Sequence, residues 1–536
     1  METALSEVVE KKAELNRATT RPEDRVPLGQ KIAFGFGVVS DHYANVCLSL
    51  FLNAFFVDFI KMAPTTVGKA MGIARLWDAF TDPAVGTLSD RCNSRFGRRR
   101  PFVFAGAVLT GLAYPIIWMV PESWGATAQG AYLVFALLLF YTCYSVFMVP
   151  YEALGSELTP GYTERNAVFV VRTYVQHMCS LGIVWMFPLA TWLAMKPWVG
   201  GEVNGVRLVS GLIAAVVILA GITPAMFCVE RYRKIAKKTG RSKFWTTLRS
   251  LLANRALLVL IGIICFYLFA ILATMQLRYF VYTYYIYEGD IHAGAKLTAY
   301  TGTFSVVFAI AAAWGIKQVT DRYDKHHTMM ACLILLFFTF FFVYLTIIPG
   351  RPWLTLLPKP LLAVGEVGFW VLTLSMRADI CDYDEHLSGK RNEGMVAATL
   401  IWTNKLAISL AFVFAGILLQ HVVGFSSDLP EETRAQVAIE AQQYYDDLPP
   451  AEKEGEDAVT LERLTSQFEQ AAIMETLTPE TLERLRLFYV LPQMIAVSLA
   501  LILLFFYPLS RERLAVIRTE LEDRRGETLR SSYAPA

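Results

Sequence analysis

The sequence predicts an all-α integral membrane protein with twelve transmembrane helices in two six-helix bundles. Three observations lead to this prediction. Hydrophobic residues form 55% of the 536-residue chain and charged residues 18%, a balance that suits a membrane protein better than a soluble one. From Lys31 onward, apolar segments long enough to cross a bilayer follow in quick succession. A long polar stretch between the sixth and seventh segments separates two sets of six.

The boundaries of these segments follow from where the apolar runs begin and end. The twelve spans are predicted at residues 32–60, 66–90, 101–120, 129–154, 165–195, 206–228, 256–284, 297–317, 327–347, 354–379, 394–422 and 486–508. The corresponding regions are an N-terminal tail (1–30), a first bundle (31–229), a central loop (230–255), helices seven to eleven (256–423), an acidic insertion (424–485), helix twelve (486–508) and a basic tail (509–536).

The distribution of basic residues predicts the orientation of the chain. Arginine and lysine concentrate in alternate loops, in the central loop and after Arg511. By the positive-inside rule, those loops and both termini are cytoplasmic, in a plasma membrane such as a bacterial inner membrane. The polar N-terminus lacks the apolar core of a signal peptide, so we expect no cleavage.

Several function classes receive no support from the sequence. It contains no P-loop, GxSxG or HExxH motif, so we expect neither an enzyme nor an ATP-binding subunit. The net charge of +2 is too small to indicate a nucleic-acid partner. The eight cysteines are scattered without a CxxC pair and indicate core residues, and no cofactor is expected.

The insertion at 424–485 differs from the rest of the chain because it is polar and rich in acidic residues. Helical patterning broken by prolines predicts two or three short helices outside the membrane. The alternative is a disordered acidic linker.

The second helix carries charges that a bilayer interior disfavours. Asp78 and Asp82 are four residues apart and Arg75 lies three before Asp78, so all three share one helical stripe. Each buried charge costs at least about 2.5–3.5 kcal/mol on insertion scales, which indicates a polar site. Pro83 has no N–H, which leaves the carbonyl of Ala79 without its helical partner.

Two carboxylates and a free carbonyl suit a hard cation such as Na⁺, with Thr81 or Ser145 completing the oxygen shell. A proton carried by either aspartate is the alternative coupling ion. Lys405 in the eleventh helix can balance the aspartates from the opposite half. The structural alternative is that Arg75 simply pairs with Asp78 between helices.

A second group of polar residues predicts a substrate site. Asp41 and His42 interrupt the first helix, Tyr144 and Glu152 lie in the fourth, and Arg172 lies deep in the fifth. Aromatic rings stack on sugars while carboxylates accept hydroxyl hydrogen bonds. Packing is the alternative for each tyrosine. Arg75 and Trp402 complete the predicted substrate-facing set.

The loop after the second helix predicts an inner gate. The residues assigned to it are Asp90, Arg91, Arg98, Arg99 and, from the second half, Asp382.

Three motifs resemble the glycoside-pentoside-hexuronide:cation symporter family of the major facilitator superfamily, which includes the melibiose permease. They are KIAFGFG, ARLWDAFTDPAVGTLSDR and ADICDYDEHLSGKRNEGMVAATLIWTNK. The RFGRRRPF loop also resembles the sucrose-transporter branch.

The resemblance implies a major facilitator fold, with the roles of the matching residues carried over. These are Asp78, Asp82, Ser145 and Lys405 for the cation, and Arg172 and Tyr144 for the sugar. The chain departs from the family at His42, Met148 and Glu152 on the sugar side, and at Thr81 and Ile401 near the cation. These departures argue against a galactoside and against strict sodium use.

We therefore predict symport of a sugar, glycoside or uronide with Na⁺ or H⁺ by alternating access. One alternative is a carrier of a lipid-like or amphipathic solute on the same fold. The other is a membrane sensor that uses the outer insertion to bind a partner.

Overall fold

The first half of the chain forms six crossings of a helical bundle. A computed structural model describes residues 25–92, 94–159, 162–230, 254–389, 393–453, 459–510, 512–517 and 519–521. Most of the predicted N-terminal tail, central loop and basic tail therefore lies outside the described residues. The helices of the first half are α1 (Leu28–Asn53), α2 (Pro64–Arg91), α3 (Arg100–Trp118), α4 (Ala126–Glu157), α5 (Tyr162–Ile183), α6 (Met186–Ala194) and α7 (Gly201–Phe227).

The second half repeats this arrangement and adds an outer insertion. Its helices are α8 (Arg255–Met275), α9 (Ile291–Arg322), α10 (Lys325–Thr346), α11 (Lys359–Ser388), α12 (Glu393–Ile417) and α15 (Pro479–Leu504). Between α12 and α15, the insertion contains α13 (Glu431–Asp447), a short turn at Pro450–Lys453 and α14 (Leu461–Thr476). We refer to this insertion as the cap, and to its side of the molecule as the cap face.

Length and hydropathy support the membrane assignment. Within the described residues, ten helical segments are long and apolar enough to cross a bilayer. The two remaining crossings are α1 and α2, with 26 and 28 residues, which carry more polar side chains. Both pack within the first bundle, α1 against α5 and α7 and α2 against α4. The predicted all-α membrane fold is therefore confirmed, and both of these more polar crossings carry candidate site residues.

Three crossings change to π-helical turns near the cap face. These segments are Ala54–Phe59 after α1, Val281–Ile286 near the end of the α8 crossing, and Leu418–Val423 after α12. Widened turns of this kind occur frequently at functional sites because they re-aim side chains. The first two lie at equivalent positions in the two halves of the chain.

The two halves meet along α2 and α12. Helix α5 also contacts α9, and α6 packs against α9 near the cap face. Hydrogen bonds and ion pairs join the halves from the level of Asp82 and Lys405 up to the cap. Asp82 is still 28% exposed, so the space between the halves reaches it from the opposite, basic-loop face. The described conformation is thus closed on the cap face and open on the other.

Candidate cation and substrate site

Lys405 bridges the two aspartates of α2 across the boundary between the halves. Its Nζ lies 2.8 Å from Asp78 Oδ2 and 2.5 Å from Asp82 Oδ2. Asp78 and Asp82 therefore lie on one face of α2, as their four-residue spacing predicts, and both side chains of that face meet α12. Two carboxylates and one ammonium leave a formal charge of −1, which one monovalent cation would neutralise.

Hydroxyl groups surround the more buried aspartate. Ser145 Oγ in α4 donates to Asp78 Oδ1 at 2.9 Å, and Ser145 and Thr81 share a hydrogen bond of 2.9 Å. The Asp78 side chain is only 3% exposed. The structure therefore brings together all five residues predicted for the cation: Asp78, Asp82, Thr81, Ser145 and Lys405.

A backbone oxygen also faces Lys405. The carbonyl of Asp78 accepts from Lys405 Nζ at 3.3 Å, one residue before the Ala79 carbonyl expected from Pro83. Helix α2 continues through Pro83 to Arg91. An oxygen-rich site of side chains and main chain is thus present at the predicted turn of the helix.

Arg75 does not occupy the position that the structural alternative requires. Its guanidinium carbon lies 4.6 Å from the centre of the Tyr141 ring, in a cation–π arrangement. Its Nε is buried without a hydrogen-bond partner. Asp78 pairs instead with Lys405, so the interpretation of Arg75 and Asp78 as a helix-contact pair is wrong. The Arg75 guanidinium is close to the cation site, but it packs on the Tyr141 ring and not on the aspartates.

The polar residues of α1 form one network with α4 and α5. Asp41 accepts from the Tyr144 hydroxyl at 2.6 Å and from Asn45 Nδ2 at 3.1 Å. His42 lies beside it, with Nδ1 3.4 Å from Asp41 Oδ2, and its other ring nitrogen is 2.9 Å from Gln176 Nε2. Both Asp41 and His42 therefore contribute to the same surface between the helices.

Glu152 and Arg172 form an ion pair that joins α4 to α5. The Arg172 guanidinium also lies 5.6 Å from the centre of the Tyr151 ring. Glu152 keeps 40% of its side chain exposed despite this pairing. Trp402 lies on α12 one turn before Lys405 and is 48% exposed.

The predicted inner gate contains a compact charge cluster. Arg99 is 7% exposed, pairs with Asp90, and donates to Ser89 Oγ at 2.5 Å. Arg98 lies 3.9 Å from Asp90 and also pairs with Glu157 of α4. Arg91 is exposed at the end of α2, and Asp382 lies on α11 in the other half. The cluster thus ties α2 to α4 within the first half.

Sequence reasoning missed another buried carboxylate, Asp58. It lies in the π-helical turn after α1 and is fully buried, with two tyrosines of the α8 crossing and one cap residue around it. A single aspartate inside the apolar run FFVDFI was the available signal.

Comparisons with known proteins place this arrangement among transporters. The family model described as MFS/sugar transport protein matches residues 33–443. The "Glucuronide carrier protein homolog" of Escherichia coli K12 is 21% identical over 416 residues, covering 76% of this chain and 86% of that protein. The mouse "Sodium-dependent lysophosphatidylcholine symporter 1" is 29% identical over 160 residues, covering 29% of this chain and 30% of that protein.

A solved structure shows the same fold. It is a bacterial homologue of the human lysosomal transporter Spinster, with a TM-score of 0.56 and 11% identity, covering 90% of this chain and 96% of that one. At this identity the likeness shows the fold alone.

Proposed function

This chain belongs to the MFS/sugar transport protein family, and we propose that it is a cation-coupled symporter of a sugar, glycoside or uronide. The observation that carries the proposal is the bridge from Lys405 to Asp78 and Asp82. A structural ion pair needs one carboxylate, whereas this cluster keeps one negative charge in excess next to the space between the halves. Such a site suits the coupling cation of a secondary transporter.

The bridge supports a simple coupling scheme. Lys405 belongs to the second half and both aspartates to the first, so their ion pairs hold the halves together at this level. A Na⁺ ion or proton that neutralises an aspartate weakens its attraction to Lys405. Neutralisation also lowers the cost of closing a low-dielectric space around the substrate. Cation binding would thereby favour movement between the two access states.

The polar side chains of the first half suit a polyhydroxylated or acidic solute. Asp41 and Glu152 offer carboxylate oxygens, while Arg172 and Arg75 offer guanidinium groups that match hydroxyls or a carboxylate. The family resemblance to glycoside-pentoside-hexuronide:cation symporters and the named glucuronide carrier homologue agree with a uronide. In this proposal the protein is a multi-pass transporter of a bacterial inner membrane, with both termini cytoplasmic and no ATP-binding subunit.

The aspartates provide the test. We expect Asp78→Asn and Asp82→Asn proteins to insert normally but to lose concentrative uptake of a labelled uronide in proteoliposomes, while some exchange persists. Removing one charge abolishes the excess negative charge that attracts the cation. Asp447→Asn, at an exposed position of the cap, is the matched control and should retain uptake. Full cation-driven accumulation by both α2 variants would contradict the proposal.

A lipid-like or amphipathic solute is the second candidate. Two observations favour it: the similarity to the lysophosphatidylcholine symporter, and Met148 at the position where the family has an acid on the fourth helix. Competition separates the candidates. Excess free glucuronide should block binding of a labelled uronide under the first proposal, whereas displacement by a lysophospholipid alone would favour the second.

A further inference from the structure

The buried carboxylate of Asp58 connects three parts of the molecule. It accepts from the hydroxyls of Tyr279 and Tyr284, the latter at 2.6 Å, and from Gln470 Nε2 at 3.3 Å. Asp58 belongs to the first half, the two tyrosines belong to the second half, and Gln470 belongs to cap helix α14. We call this group the Asp58 latch.

The latch depends on neutral donors. The ion pairs of the described residues do not include Asp58, although its side chain is fully buried. A buried carboxylate of this kind is costly unless its hydrogen bonds are kept. Separating Tyr279 and Tyr284 from Asp58 without replacement by water is therefore unfavourable. The latch holds the cap-face ends of α1 and the α8 crossing together.

Two neighbouring residues of the cap helix α14 stabilise the latch and the turn that follows Asp58. The Tyr284 hydroxyl oxygen lies 2.6 Å from Gln470 Oε1 as well as from Asp58 Oδ1, so its single hydrogen is shared between these two acceptors, while Gln470 Nε2 donates to Asp58. Glu469, the preceding residue, pairs with Lys61 at 3.4 Å. Lys61 has a φ of 63°, an uncommon left-handed conformation for a non-glycine residue. Such a strained backbone conformation persists only where its surroundings stabilise it, and here the ion pair with Glu469 does so.

The surroundings of α14 leave room for movement. One cavity of about 420 Å³ and another of about 330 Å³ flank the helix, and both are lined by Glu202, Ser466 and Gln470. Polar cavities of this size admit water. Water entering from them is available to replace the hydrogen bonds of Asp58 as the helix withdraws.

We propose that the Asp58 latch is the outer gate of this transporter and that the cap is part of it. Opening toward the cap face requires Tyr279 and Tyr284 to leave Asp58, and Gln470 opposes this step. The cap therefore biases the protein toward the state that is open on the basic-loop face. This inference requires alternating access but does not depend on which solute or cation is carried.

A labelling experiment on the whole protein tests the gate. The substitution Ser49→Cys places a thiol in a small cavity beneath the latch, which also contains Tyr279. Sealed vesicles with the cap face outermost are treated with a membrane-impermeant thiol reagent, without substrate. We expect Gln470→Leu and Tyr284→Phe each to speed labelling of the introduced thiol by about tenfold, since each removes a hydrogen bond of the latch.

A second glutamine of the cap provides the control. Gln443→Leu changes an exposed residue of α13 that lines neither cavity and should leave the labelling rate unchanged. The protein without the Ser49→Cys change corrects for native thiols, and thermal unfolding confirms that each variant is folded. Unchanged labelling in folded Tyr284→Phe would overturn the gate. Faster labelling in Tyr284→Phe with no change in Gln470→Leu would overturn the role of the cap.

Discussion

Lys405 is the residue on which the cation site depends. Its side chain is only 17% exposed, and its ammonium contacts both carboxylates, one of which is almost fully buried. In a partly buried cluster of this kind, removing one charge leaves the others uncompensated. The lysine therefore stabilises the empty site, and it also competes with any cation that binds there.

Replacing the lysine should strengthen cation binding. In Lys405→Gln, two aspartates face the coupling ion without a competing ammonium, so we expect half-maximal thermal stabilisation at a cation concentration lower by about tenfold. If the coupling ion is a proton, we expect protonation to stabilise Lys405→Gln up to a higher pH than it stabilises the unchanged protein. Uptake should fall because the ion is released less readily.

A second lysine provides the control for this experiment. Lys325 pairs with Asp379 at 2.6 Å inside the second half, away from α2. Lys325→Gln should leave the cation dependence unaltered. If Lys405→Gln also left it unaltered, the lysine would not share the cation site.

At the scale of helices, glycines set the distance between α2 and α12. A Cβ at Gly68 would lie 2.5 Å from the carbonyl oxygen of Phe412, and one at Gly416 would lie 2.5 Å from that of Pro64. The two backbones are thus in direct contact on the cap side of the aspartates. This close approach is what lets Lys405 reach across the boundary, in the manner of small-residue interfaces in membranes.

Alanine at Gly68 should therefore separate the helices. We expect Gly68→Ala to lower stability by about 1–3 kcal/mol, the usual cost of overpacking, and to weaken uptake. Gly86→Ala in the same helix is matched, since its Cβ would meet only Val149 at 3.5 Å. That change should be neutral or slightly stabilising because alanine favours a helix. Equal melting temperatures for the two variants would contradict this account of the interface.

For the whole molecule, alternating access requires the open face to close when the cap face opens. The cluster of Arg98, Arg99, Asp90 and Glu157 lies at the open face and ties α2 to α4. Glu230 extends it by accepting from the backbone N–H groups of Arg98 and Arg99, each at 2.7 Å. We therefore regard this cluster as part of the machinery that positions α2 while the halves move.

Neutralising the cluster should affect movement more than binding. We expect Arg99→Gln to lower the maximal uptake rate by about tenfold while the cation concentration for half-maximal uptake stays within about twofold. The arginine contacts the end of α2, away from the aspartates, and both the buried Ser89 and the more exposed Asp90 lose a charged partner. Arg95→Gln, at an exposed position of the same loop, is the control and should leave the maximal uptake rate unchanged. A shifted cation dependence with normal maximal uptake would show that the cluster acts on the site instead.

Local sequence patterns determined the helices of this protein and part of its candidate cation site. Hydropathy and length predicted the helices, and the four-residue spacing placed Asp78 and Asp82 on one stripe, because both properties depend on residues near one another in the chain. The motif resemblance also predicted, from the sequence alone, that Lys405 and Ser145 belong to the cation site.

Only the tertiary structure decided which partners those residues have. Arg75 is closer to Asp78 in the chain than Asp82 is, yet it lies on the Tyr141 ring, while Lys405 from the other half pairs with both aspartates. The hydrogen-bond partners of Asp58 come from the α8 crossing and the cap, so only the tertiary structure reveals them. The reason is physical: a buried charge is stabilised by groups that surround it in space, and these come from segments more than two hundred residues away in the chain.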